Sequence, residues 1–240
     1  MSNIVIPDGG NIGSASDPDA LAISSSGIVT MASGNGYRLN SIQTFTTSGS
    51  HTWTKPANVS AVLVYVTGAG GGGGGGGAGS SDAGGGGGAG GTAIKFITSG
   101  LGSTETVTVG DGGSGRAGQS EDDGQAGGSS SFGSHCTGGG GNGGEDGNAH
   151  GLGGSGGSGS SGDINLTGGV GQNGSDDIHN NISGGNGGAS FWGGSGRGAT
   201  VTVGSSGGSA GGGGGGGKHN NARAGSDGSD GFVVVYEYIQ

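Results

Sequence analysis

Val59-Ser-Ala-Val-Leu-Val-Tyr-Val-Thr67 runs straight into Gly68-Ala-Gly70, and from Gly70 to Gly77 the chain is unbroken glycine. The first part is β-branched and long enough for a central strand. The second part decides the fold. It recurs as Gly84 to Gly88 and Gly211 to Gly217, and 74 of the 240 residues are glycine. Such a composition defaults to a flexible linker or low-complexity disorder. A strand that delivers the chain directly into the tract argues for scaffold instead. Collagen is excluded, because there are only 3 prolines and no strict glycine at every third position.

Ordering glycine is expensive, at about 1–2 kcal/mol of backbone entropy per residue. A regular arrangement has to recover it, and hydrophobic residues at 27% and aromatics at 5% are too few for a large apolar core. Glycine can adopt the extended threefold helix, which has no internal hydrogen bonds and turns every N–H and C=O outward. Packed polyglycine-II helices would then satisfy one another's backbone groups. The expected fold is all-β with a polyglycine-II helix bundle and essentially no α-helix, since no stretch shows helical periodicity.

Strands are expected at Gln43 to Thr54, Val59 to Thr67, Thr92 to Thr98, Thr104 to Val109 and Phe232 to Ile239, with Pro56 ending the first. The closing strand should pair with Val62 to Val66 or Val107 to Val109, making the ends of the glycine region neighbours. Apolar residues break the later tracts at Ser131-Phe132, Ile164 to Leu166, Phe191-Trp192 and Thr200 to Val203. Residues 1–42 read as a leader of short strand fragments at Ile4-Val5-Ile6, Ala22-Ile23 and Gly27 to Thr30, separated by turn chemistry. Three copies wound together, or a docking partner, would supply their missing burial. The expected division is an attachment or oligomerisation segment, 1–42, and a glycine-rich domain, 43–240.

Net charge is −10 with only 7 Lys and Arg, which argues against nucleic acid or an anionic membrane as partner. Cys136, the one cysteine, cannot form an intrachain disulfide. The N-terminus lacks the basic and apolar regions of a signal peptide, and no apolar run reaches transmembrane length. Incorporation into a virus particle is one way such a protein could act outside a cell.

Thr44-Phe-Thr-Thr-Ser-Gly-Ser-His-Thr-Trp-Thr-Lys-Pro-Ala, then Val62 to Val66 and polyglycine, resembles the opening of the glycine-rich domain of bacteriophage tail fibres. Further matches follow in order: Thr106-Val-Thr-Val-Gly-Asp-Gly-Gly, Gly128-Ser-Ser-Ser-Phe-Gly-Ser, Gly156 to Gly169, Gly188-Ala-Ser-Phe-Trp-Gly-Gly, and Asp227 to Tyr238. Each is weak alone; their order over residues 43–240 is more specific. The leader stretch Ile12 to Ile23 is similar to short segments of phage structural proteins. The relation extends to polyglycine-sandwich adhesins, although the leader departs from their attachment domain. It implies packed polyglycine-II helices with host-recognition loops at one end, a homotrimer, and a place on the virion in a tail fibre or baseplate. Residues 1–42 would dock to the baseplate or another fibre protein, and the partner outside would be a host glycan or outer-membrane protein.

No catalytic constellation is present, so an enzyme is not expected. The Gly-x-Gly-x-x-Gly strings have no helix after them and carry no nucleotide signal. Gly228-Ser-Asp-Gly-Phe232 is half of one calcium nonapeptide, and such repeats need tandem stacking; it reads instead as a turn before the closing strand. No cofactor is expected. Calcium is the one ion with candidate ligands, at Glu121-Asp122-Asp123, Glu145-Asp146 and Asp176-Asp177. The polar breaks supply candidate receptor contacts: Glu121, Asp122, His150, Asp176, Asp177, His179, Asn180, His219 and Asn220. Their bland reading is solvated turns. Phe191 and Trp192 could stack on a sugar or protein surface, or lie buried against the sheet. Host attachment by many weak contacts is the leading expectation. A structural decoration or capsid fibre and an ice-binding polyglycine-II protein are the alternatives; the uneven Asp, Asn and His loops argue against the last.

Overall fold

The computed structural model describes residues 36–77, 82–117, 122–147, 150–175, 183–200, 204–208, 210–218 and 224–240, and the backbone of 11–14, 17–23 and 29–31. The strand fragment expected at Ile4 to Ile6, and most of the apolar break at Thr200 to Val203, lie outside these residues.

In chain order the strands are β1 (Asn11–Ser14), β2 (Asp17–Ile23), β3 (Val29–Met31), β4 (Arg38–Phe45), β5 (Gly49–Thr54), β6 (Ala61–Thr67) and β7 (Thr92–Ile97). Then come β8 (Thr104–Val109), β9 (Ser130–Phe132), β10 (Cys136–Gly138), β11 (Gly159–Ser160), β12 (Ile164–Leu166) and β13 (Phe232–Ile239). The described residues contain no helix. The first three strands form a small sheet, and the others form two five-stranded sheets in the orders β12-β7-β6-β13-β4 and β11-β10-β9-β8-β5, antiparallel throughout.

The closing strand does pair with the first valine run, Val233 opposite Val66 and Val235 opposite Val64. Its other edge takes β4, which begins at Arg38 and so draws residues read as leader into the sheet. Alternation sends Val62, Val64, Val66, Val233 and Val235 inward, where they meet Trp53, Val107, Val109 and Phe132 of the second sheet. Trp53 and Phe132 meet edge to face at 5.5 Å.

From this base the chain goes out and back repeatedly, in twelve glycine-rich segments: 68–77, 83–91, 110–117, 122–129, 139–147, 150–158, 167–175, 183–189, 194–200, 204–208, 211–218 and 224–231. The hydrogen bonds of 68–77 rotate in threes. Gly68, Gly71 and Gly74 donate to Gly91, Gly88 and Gly85; Ala69 and Gly72 to Gly128 and Gln125; Gly70 and Gly73 to Ser229 and Ser226. Its carbonyls accept in the same rotation, Gly70 and Gly73 from Gly113 and Arg116, Ala69 and Gly72 from Gly141 and Gly144, Gly71 and Gly74 from Gly214 and Gly217. Six segments therefore surround this one.

Segments 83–91 and 211–218 are ringed in the same way. The three touch one another, and the other nine close a ring around them. Both backbone polar groups of Gly71, Gly72, Gly73 and Gly74 are paired, so burial there leaves no orphan donor.

The close approach explains the composition. A Cβ on Gly72 would stand 2.2 Å from Ser114 O, on Gly73 2.1 Å from Gly215 O, and on Gly74 1.9 Å from Glu145 O. Three successive residues thus meet three different neighbours, and each obstacle is backbone. Any side chain would have to push two segments apart.

Gly228 to Phe232, expected as a turn, instead continue the extended outer segment 224–231 into β13. Ser226 N and Ser229 N bond to Gly215 O and Gly212 O, while the Asp227 and Asp230 carboxylates accept from Gly115 N and Gly112 N at 2.8 and 2.9 Å. A run of backbone partners on two sides holds it straight.

Candidate binding surface

Three outer segments, 139–147, 183–189 and 224–231, each touch two of the central three, and a surface notch lies over 183–189. Each has a pair of polar side chains three residues apart, Asn142 and Glu145, Ser183 and Asn186, Asp227 and Asp230, with Asp146, Ser226 and Ser229 at other positions. Asn142, Glu145 and Asp227 are exposed, while Gly141, Gly144 and Gly147 are buried. The polar side chains finish bonds that a further segment would otherwise make. Asn186 Oδ1 accepts from Gly198 N at 2.9 Å while its Nδ2 donates to Gln172 Oε1 at 2.8 Å. Asn142 Nδ2 donates to Ser155 Oγ at 2.7 Å.

Over 183–189 the notch is a cavity of about 520 Å3, lined by Gln172, Asn173, Ser175, Ser183, Asn186, Arg197 and Thr200 with exposed glycine backbone between them. Carboxamides, hydroxyls and one guanidinium give it donors and acceptors in both senses. It suits a polar, hydroxyl-rich ligand better than an apolar one. Gln172 to Ser183 is a polar interruption of the glycine sequence; Asn186 and Arg197 carry no such signal, and Thr200 reads only as the start of an apolar break. All that marks Asn186 is its place in Gly184-Gly-Asn-Gly-Gly-Ala189.

The end of the array away from the two five-stranded sheets collects the charges. Arg116 Nε donates to Asp123 O at 2.8 Å, and Asp123 Oδ1 accepts from Asp146 N at 2.9 Å, joining the consecutive segments 110–117, 122–129 and 139–147. Asp122 and His150 are exposed there. Glu121, Asp176, Asp177, His179, Asn180, His219 and Asn220 lie outside the described residues. Among the described residues no three His, Cys, Asp or Glu side chains converge on a common point.

Phe191 and Trp192 are elsewhere. They sit in the turn between segments 183–189 and 194–200, at the sheet end of the array. Trp192 Nε1 donates to Thr67 Oγ1 at 2.9 Å, and its ring meets Phe232 edge to face at 5.0 Å. That packs Trp192 half-buried against the sheet, while Phe191 remains half exposed at 49%. The aromatic pair and the charged end therefore do not form one site.

Cys136 is buried beneath the sheets, and burial pushes its thiol up to about 11. It is a packed apolar group rather than a nucleophile.

A family model described as a glycine-rich domain matches residues 46–238. No curated protein matches the chain.

Proposed function

The chain belongs to the glycine-rich domain family, and on that premise we propose that it is a bacteriophage tail-fibre or receptor-binding subunit that attaches the particle to its host without catalysis. One observation carries the reading. The three central segments bury no side chain larger than the methyls of Ala69, Ala83 and Ala89, and segments end at 77, 117, 147, 175, 200 and 218 on the side opposite the sheets. A rigid body that spends its side-chain variety at one end is suited to recognition there.

The segments of the array are polyglycine-II helices in this reading. Support comes from the threefold rotation of hydrogen-bond partners around 68–77 and from the lack of room for a Cβ at Gly72, Gly73 and Gly74. The contacts with the host are assigned to the charged end, with Asp122, His150 and the residues between the described segments, and to the notch of Gln172, Asn186 and Arg197. Their chemistry suits a surface glycan or the polar loops of an outer-membrane protein. The residues before β4 dock the subunit to the baseplate or another fibre protein, and the working assembly is a homotrimer on the virion. No cofactor is needed for attachment.

Adsorption competition tests this directly. Purified protein should bind host cells and slow phage attachment; protein that does neither would sink the reading.

A further inference from the structure

The sheet β12-β7-β6-β13-β4 has two faces, and the sandwich uses only one. Register places Leu39 opposite Tyr238, Ile42 opposite Tyr236, Leu63 opposite Phe96 and Tyr65 opposite Ile94, and Ile94 opposite Ile164, all on the outer face. This face is largely apolar, with exposed Thr44 on β4 and buried Thr67 and Thr92 as its threonines. Leu39, Ile42 and Ile164 are about half exposed, at 52%, 51% and 53%.

The aromatics concentrate here too. Tyr37 meets Phe96 edge to face at 5.4 Å, Phe96 meets Tyr238 at 5.9 Å, and Tyr65 lies 5.8 to 6.0 Å from Tyr236 and Phe191. Such pairs fix ring orientation, so the surface is preformed.

We propose that this outer face is the contact between copies of the chain. It takes the self-association put forward above and names its surface. Two observations select a second copy as the occupant. The first is area. With large side chains each offering about 150–250 Å2 when fully exposed, the open fractions add to roughly 500–700 Å2, close to the ~800 Å2 that each partner contributes to a stable interface.

The second is charge. Two molecules of net charge −10 repel wherever their acids meet. The outward residues of the five strands are uncharged, the one acid of β13, Glu237, is turned inward and fully buried, and Asp122, Asp123, Glu145 and Asp146 lie at the far end of the array. This face lets two copies approach without opposing carboxylates.

Sedimentation velocity of the full chain at about 50 µM should give a multiple of the monomer mass. Ile42→Glu with Ile164→Glu, at opposite edges of the face and both half exposed, should weaken association at least tenfold and leave the β circular dichroism unchanged. A monomeric wild type, or association that survives both substitutions, would overturn the proposal. Hydroxyl-radical labelling of the wild type needs no variant. Tyr37, Phe96 and Phe191 should gain labelling on dilution from 50 to 0.5 µM. Protection independent of concentration would mean that the chain's own leader covers the face, and labelling already complete at 50 µM would mean that nothing does; either overturns the proposal. None of these results bears on adsorption, so failure here and failure of the attachment reading are told apart.

Discussion

Trp53 Nε1 donates to Glu237 Oε1 at 2.7 Å across the interior, joining the two sheets through a carboxylate that is fully buried. Gln43 Nε2 donates to the same oxygen at 2.5 Å and Ser41 Oγ to the other, so β4 is held to β13 by side chains as well as by its ladder. A buried carboxylate is tolerated when enough donors meet it. Here three neutral donors do so. Glu237→Gln turns one acceptor into a donor facing donors and is expected to cost about 1–3 kcal/mol. Trp53→Leu, which loses both the donor and the ring on Phe132, should cost more. Urea unfolding followed by circular dichroism measures both.

Gly73 and Gly194 make a paired test of the array. A Cβ on Gly73 would lie 2.1 Å from the Gly215 carbonyl, while one on Gly194 meets nothing within 4 Å. Gly73→Ala is expected to cost several kcal/mol, in the range of severe overpacking, and Gly194→Ala to stay within about 0.5 kcal/mol of the parent. Equal effects in thermal unfolding would contradict the close approach.

Asp227 and Asp230 complete the bonding of segment 110–117 by accepting from Gly115 N and Gly112 N. Each Asp→Ala change should lose about 0.5–1.5 kcal/mol, with Asn restoring most of it because an amide oxygen can take the same place. If Asn fails to rescue, the carboxylate charge is what matters there.

The Cys136 thiol should be inert toward iodoacetamide at pH 8 in the folded protein and react at an ordinary rate in urea, since burial moves it from about 9 to about 11. Because the folded state then holds its proton more tightly, this group's contribution falls as pH rises from 9 toward 11. Native-state alkylation at the denatured rate would place the thiol on the surface.

Much of the β-structure was legible because β-branched alternation is a local signal. Val62 to Val66 and Val233 to Val235 read as strands and pair as strands. The glycine tracts read as a body because strands enter and leave them, although composition alone said linker. What escaped was the three-residue spacing of Asn142 and Glu145, of Ser183 and Asn186, and of Asp227 and Asp230. Against a glycine background it resembles random punctuation, and it gains meaning only once each chain has three kinds of neighbour. Gly228 to Phe232 reads as a turn for the same reason. Short strands such as β9 and β12 carry too few apolar residues to mark the sheet they join. Nothing near Trp192 indicates Thr67, 125 positions away, as its partner.

The central claim is that the glycine is folded body rather than linker, and amide hydrogen exchange tests it most directly. The account expects Gly70 to Gly74, Gly84 to Gly88 and Gly213 to Gly217 to exchange as slowly as Val64 and Val235, since their N–H groups are buried and bonded to neighbouring segments. Exchange throughout these blocks at the rate of an unstructured chain would return them to the linker class and contradict the account.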